Sequence, residues 1–402
     1  MKRIGILTFH RSTNNGAFIQ AYSLSRRLEK DFPQCEVEVI DYSMPKVDAA
    51  LYPETFGQYF AGGRSLKRKA HLAIDLLRDP KKLSRQREKN AGFAEARKQL
   101  CLSDRHIYSD GVTELFEYIR DRYDALIAGS DAIWNYSLRG FPNPYFLDET
   151  ITAPKLSYAA SCFGMNYENI PDSERKKIKS ILSSYVFLGV RDCESEAFAK
   201  GLGTGALTCH TCDPTVFLNT DELPVDEDTL TAKLSTAGFN LQKPTVGVMG
   251  DDAMCRMARR VCGDDYQITA LFNYCPSADV NLYNLNPFEW AKVFKYFRLT
   301  FTTYFHGTLL SLRNLTPVIC IALDTPYTRS HVSKVEDFLT RVDMAGNYFK
   351  NDGSAETLSG IEARARELLA DSKKDFTASR MDAEAETYNI FKNKLAEIIK
   401  EN

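Results

Sequence analysis

Apolar positions along the chain alternate between two rhythms: short continuous runs, and longer stretches in which they recur every third or fourth residue. The first rhythm predicts buried strands and the second amphipathic helices. Residues 3–8 are such a run. A polar loop from His10 to Gly16 follows, then Phe18, Ala21, Leu24 and Leu28 on one helical face, and then an alternating strand from Glu36 to Asp41. This βαβ opening predicts a parallel sheet whose first loop lies at the edge where open α/β sheets bind ligands. Further strands are expected at 124–128, broken by Gly129-Ser130-Asp131, at 155–163, at 185–190 running into Arg191, and ending near Cys209–Cys212. A polar, acidic stretch from Asn219 to about Lys243 reads as a connection. A second α/β set follows, with strands at 244–249, 266–272, 299–305 and 317–323. Asn286 and Pro287 form a cap with proline at the first helical position, opening a helix to Phe297. A turn is expected at His306-Gly307 before a helix carrying Leu309, Leu310 and Leu312, and the tail from about Ala355 reads as a long closing helix. The fold class is therefore α/β with two domains, 1–230 and 231–402, the first interrupted by a helical insertion at about 45–115.

Composition supports that division. With 402 residues, 44% of them hydrophobic, the chain exceeds the size at which single cores usually split. A formal charge of −2 gives no global attraction to nucleic acid, so a charged partner needs a local patch. One basic stretch stands out: Arg64 to Lys98 holds twelve Lys and Arg against four Asp and Glu, around a helical run at 71–77. It reads as a solvated helical insertion, with a patch for a polyanionic or membrane-borne acceptor as the alternative. The first apolar run is too short for a signal peptide, and no stretch reaches the length of a membrane span. A cytoplasmic protein with at most peripheral membrane contact is expected; oligomeric state carries no sequence signal. Ten irregularly spaced cysteines suggest free thiols, and the lone Cys209-His210-Thr211-Cys212 reads as a strand end with no metal site.

Candidate chemistry gathers at strand ends. His306 lies between a strand and a helix start, where unpaired N–H groups favour an anion and a histidine can exchange protons. Gly129-Ser130-Asp131 offers a hydroxyl, a carboxylate and close backbone approach. Trp134 beside them can stack on a sugar, although a Trp this near a strand also suits the core. Arg191 can fork onto a phosphate or carboxylate, or pair at the surface with Asp192 or Glu194.

Taken together, several segments resemble the polysaccharide pyruvyl transferase family. They are Gly5 to His10 with Asn14-Asn15-Gly16-Ala17 and Gln20 to Leu24, Ala128 to Asn135, Ser157 to Ser161, Val190 to Ser195, Asp213-Pro214-Thr215, and Phe305-His306-Gly307-Thr308. The resemblance implies a GT-B-like fold of two Rossmann-like domains facing across a cleft, with a C-terminal helix returning to the first. It also implies transfer of a pyruvyl group from phosphoenolpyruvate, a donor substrate, to two hydroxyls of a sugar or polysaccharide-precursor acceptor, without cofactor or metal. His306 and Arg191 would be catalytic. Gly307, Thr308 and Arg191 would hold the donor phosphate or carboxylate, and Asn14, Gly16, Ser130, Asp131 and Trp134 the acceptor. Departures are Thr302-Thr303-Tyr304 where an acid is common before the histidine, Ala132 in place of Gln, and Asn15 in place of Tyr. The chain is thus expected to lack a carboxylate orienting His306. Alternative readings are a non-catalytic glycan-binding or assembly relative and a nucleotide-sugar glycosyltransferase of the same fold.

Overall fold

The computed structural model describes residues 1–45, 73–74, 77, 80–163, 170–323, 325, 329, 331–371 and 373–401. Chain order gives β1 (Lys2–Leu7), β2 (Cys35–Val39), β3 (Tyr42–Ser43), β4 (Ile107–Tyr108), β5 (Ala125–Ala128), β6 (Lys155–Ala160), β7 (Phe187–Val190) and β8 (Thr208–His210). Six of these form one sheet in the order β2-β1-β5-β6-β7-β8, while β3 pairs with β4. The second sheet is built from β9 (Thr245–Met249), β10 (Gln267–Leu271), β11 (Val280–Leu282), β12 (Leu299–Thr302), β13 (Val318–Leu323) and β14 (Tyr348–Asn351). Its order is β11-β10-β9-β12-β13-β14, and neighbouring strands in both sheets run parallel. Interior strands such as β5, β6 and β9 are buried along their whole length, which is why β5 reads as an unbroken apolar run and β6 and β9 as mainly apolar ones.

Strand order reverses between β1 and β5 in the first sheet and between β9 and β12 in the second. At such points the following loops diverge to opposite faces and leave a crevice. The loops that follow β1 and β5 carry Asn14, Ser130 and Asp131, and the helix that follows β12 carries His306, so the fold brings distant stretches of chain to one place.

Local chemistry sets the helix starts. The Asn14 side chain caps Asn15–Asp31 by accepting from the N–H groups of Gly16 (3.0 Å) and Ala17 (3.3 Å). Asn286 and Glu289 close a capping box at Pro287–Val293. The turn after β12 comes earlier than the sequence suggests: Tyr304 N–H donates to the Thr302 hydroxyl at 2.9 Å, and the helix Phe305–Arg313 already contains His306 and Gly307. The tail forms three helices, Ala355–Ala370, Lys374–Ala385 and Tyr388–Glu401, not one long helix. The last of them lies against the first sheet: Phe391 meets Tyr158 at 4.7 Å and Phe187 at 5.9 Å, and Lys392 reaches Asp31 at 2.8 Å.

The basic insertion is more than a solvated helix. Its described helix, Lys82–Arg97, buries Phe93 and Ala96. Phe93 meets Phe18 edge-on at 6.0 Å, and Phe18 in turn meets Phe288 at 5.5 Å, so the helix wedges against both halves. The helical run expected at 71–77 lies largely outside the described residues.

Candidate active site

His306 is the second residue of the helix Phe305–Arg313 and is 9% exposed. Its ring is wedged between the two halves. On one side lies Gly16, where an added Cβ would sit 2.1 Å from Nδ1. On the other, Nε2 is 3.5 Å from Oδ2 of Asp213. Only a residue without a side chain fits at position 16, which accounts for the glycine. Asp213 itself caps the short helix Pro214–Phe217 by accepting from Thr215 N–H at 2.9 Å. The carboxylate expected to be missing is therefore present, supplied across the cleft by Asp213 instead of the residues before His306.

Behind Asp213, Arg191 links two acids. Its guanidinium donates to Asp213 Oδ2 at 2.7 Å and to Asp131 Oδ1 at 3.2 Å, and stacks 4.8 Å over Phe305. Burial alone would raise Asp213, yet the charges of His306 and Arg191 and the hydrogen bond from Thr215 N–H hold it far below the usual carboxylate range. Burial likewise works to raise Asp131, and Arg191, Lys334 and His306 outweigh it, bringing Asp131 down to about 2. Both acids are ionised at neutral pH, while Nε of Arg191 and Nε2 of His306 have no hydrogen-bond partner among the described residues. Asp192 acts on Arg191 through its charge but forms no ion pair with it, since its carboxylate accepts from Ser161 (2.6 Å) and Ser195 (2.9 Å) and caps the helix Cys193–Leu202.

Arg191 is thereby corrected as a donor ligand. It is 1% exposed and both of its terminal nitrogens engage carboxylates, so its fork is not open to a phosphate and it is no surface pair with Asp192 or Glu194. Thr308 is corrected too: its N–H bonds to the Tyr304 carbonyl at 3.1 Å as the fourth helical residue, and its hydroxyl is buried against Cys320. Gly307, third in the helix, has no acceptor within the helix by geometry, so the N–H groups open at this end belong to Phe305, His306 and Gly307. Trp134 is fully buried and stacks on Phe146 at 5.9 Å; it is a core residue and not a sugar platform. Ser130 is fully buried as well, its N–H donating to Gln20 Oε1 at 3.2 Å and its hydroxyl pointing to Asp213 at 3.4 Å. Asp131, Asn14 and Gly16 do line open space.

That space has two compartments. One, of about 430 Å³, is walled by Asn15, Gly16, Phe272, Tyr304, His306 and Lys334. The other, of about 220 Å³, is walled by His10, Arg11, Ser43, Asn135 and Arg139. Asn14, Asp131, Phe163 and Lys334 belong to both and mark where they meet. Lys334 escaped the sequence reading, which had no local signal for it. No hydrogen bond or ion pair holds its ammonium among the described residues, and it lies 5.0 Å over Phe163 and 5.5 Å over Phe305. Burial, reinforced by Arg191, lowers its pKa despite the nearby acids. Asn15 also escaped the sequence reading as a candidate: it is 3% exposed, lines the larger compartment, and its Oδ1 has no hydrogen-bond partner among the described residues.

Comparison with known families decides what this cleft belongs to. The family model for polysaccharide pyruvyl transferases matches residues 14–325. The chain belongs to that family. The matched stretch of this pyruvyl transferase family member runs from the Asn14 cap through Asp131, Arg191 and Asp213 to beyond His306, and Lys334 lies just past its end. The comparison with curated proteins finds no match. Among solved structures, a candidate UDP-N-acetylglucosamine 2-epimerase from Listeria monocytogenes is similar with a TM-score of 0.53 at 11% identity, covering 100% of this chain and 97% of that one. The S. aureus MnaA–UDP co-structure gives a TM-score of 0.52 at 11% identity, with 94% and 91% covered. The fold is GT-B-like, with two Rossmann-like halves across a cleft. No helix among the described residues is long and apolar enough to cross a membrane.

Proposed function

We propose that the cleft transfers a pyruvyl group from phosphoenolpyruvate to two hydroxyls of a sugar in a cell-surface polysaccharide or its precursor, forming a cyclic ketal. The observation that carries this reading is the His306–Asp213 pair, set at an open helix N-terminus beside an uncommitted lysine, in a chain of this family. A proton added to the donor methylene makes the adjacent carbon an oxocarbenium-like centre. One sugar oxygen bonds to that carbon, the carbon–phosphate oxygen bond breaks, and the second sugar oxygen closes the ring. Of the two hydroxyl protons, one ends on the new methyl group and the other on the phosphate.

The residues divide this work. With Nε2 buried against Asp213, His306 presents Nδ1 for proton transfer, and Asp213 steadies the imidazolium. Lys334 and the N–H groups of Phe305, His306 and Gly307 hold the donor anion. Arg191 is a positioning residue: it fixes Asp213 and Asp131, and Asp131 and Asn15 accept hydrogen bonds from acceptor hydroxyls. Asp213 also removes the reason for favouring a non-catalytic relative, since the histidine has its carboxylate.

The test is acceptor-dependent phosphate release from phosphoenolpyruvate. His306→Ala is expected to lower the rate by roughly 10²–10⁴-fold, the usual contribution of general acid–base catalysis. Equal rates in wild type and variant would sink the assignment. Stabilisation by UDP with none by phosphoenolpyruvate would move the protein to nucleotide-sugar chemistry.

A further inference from the structure

Beyond the cleft centre, the basic helix Lys82–Arg97 walls a pocket of about 510 Å³ that it shares with the loops after β9 and β10. Lys82, Arg85 and Lys89 all line it, spaced to share one helical face. Lys89 is the unusual member. It is 9% exposed, yet no hydrogen bond or ion pair engages its ammonium among the described residues, and the ammonium lies 3.7 Å from the centre of the Phe272 ring. Burial brings its pKa down to about 8. Arg85 lies over Tyr274 at 4.5 Å and Tyr283 at 5.4 Å, so flat aromatic surface stands beside the cations.

Two acids in the same wall are already committed. Asp251 caps the helix Asp252–Cys262 through Met254 N–H at 2.9 Å, and Asp252 pairs with Arg256 and accepts from Ser277 N–H at 2.7 Å and its hydroxyl at 2.9 Å. Neither neutralises Lys89. A buried, unmatched cation is costly unless an anion arrives to meet it. The pocket adjoins the larger compartment, since Phe272 stands in both walls, and the Thr13 hydroxyl donates to Asn90 at 2.6 Å, tying the helix to the loop that ends in Asn14.

We propose that this pocket binds a phosphate ester carried by the acceptor sugar, so that the acceptor enters as a glycosyl phosphate and not as a neutral glycan. Lys89 meets the phosphate oxygens, while Lys82 and Arg85 add positive charge to the same wall. The identity of the sugar as acceptor rests on the function proposed above; the anion site rests on Lys89 itself.

The experiment is calorimetric titration of the full chain, as wild type, Lys89→Met and Lys89→Arg. The probes are glucose 1-phosphate, a short-chain prenyl-diphosphate-linked glucose, inorganic phosphate, glucose and phosphoenolpyruvate. The expected result is that a glucose phosphate binds wild type and Lys89→Arg, weakens about tenfold in Lys89→Met, and leaves phosphoenolpyruvate affinity unchanged. Tighter binding of the prenyl-linked probe than of glucose 1-phosphate would assign the ester to a lipid carrier, and the reverse to a soluble one; both support the site. Lys89→Met should also unfold at the same or a higher urea concentration, because it removes an unmatched charge. Equal ester affinity in wild type and Lys89→Met overturns the proposal, as does inorganic phosphate binding as tightly as the esters. If ester binding depends on Lys89 while phosphoenolpyruvate binds no variant, the anion site stands and the transfer reaction falls.

Discussion

At the centre of the cleft Arg191 is enclosed by carboxylates, 2.7 Å from Asp213 and 3.2 Å from Asp131, whereas at its margin Lys334 meets only the rings of Phe163 and Phe305 among the described contacts. Both cations sit beside the same histidine. The difference separates charge committed within the fold from charge left without a carboxylate partner: Arg191 stabilises two buried anions in fixed positions, and no hydrogen bond or ion pair holds the Lys334 ammonium among the described residues. Proximity to the histidine proposed as catalytic does not by itself make a cation a substrate ligand.

The contrast breaks most visibly in stability. Arg191→Met should cost about 3–5 kcal/mol by urea denaturation, because it strands two buried carboxylates; a loss under about 1 kcal/mol would mean that water already screens them. Gly16→Ala comes next. Its methyl group must displace the His306 ring, and a shift of about 1 Å in a catalytic group lowers turnover by about 10²-fold; unchanged phosphate release would show that His306 has room the structure does not give it. Acid sensitivity is the third handle. Asp131 is lowered from 3.8 to about 2, so it contributes stability above pH 4 that is lost as pH falls toward 2, on the order of 2 kcal/mol. In Asp131→Asn the urea midpoint should fall less than in wild type across that window. The smallest effect is on the other side: Lys334→Met should change stability by no more than about 0.5 kcal/mol while weakening phosphoenolpyruvate binding about tenfold. A large loss of stability there would make the two cations alike.

Much of the fold was legible because parallel strands buried on both faces leave continuous apolar runs, and because caps such as Asn14 and Asn286 mark helix starts. The site was legible to the extent that its groups sit at strand ends: Asp131, Arg191 and His306 each follow a run that stops at the sheet edge, and the sheet gathers such edges. Their pairings were not. Asp213 could be seen as a cap before Pro214, but nothing local says that its second oxygen faces His306 or that Arg191 lies between it and Asp131. Lys334 follows a serine at an ordinary helix start, and only the cleft distinguishes it from other surface lysines. Trp134 misled for a related reason, since sequence gives adjacency to a loop but not the direction in which an indole points.

The return of the C-terminal helix to the first sheet has a mechanical consequence. The chain passes between the halves twice, and the passages touch where Cys212 N–H donates to the Thr387 hydroxyl at 2.8 Å. Two tethers meeting at one point would resist sliding of the halves more than bending about that point. Displacement in a bend grows with the lever arm. Asp213 adjoins the pivot, so gaping of the outer cleft, wide enough for a bulky glycan, would separate it from His306 least.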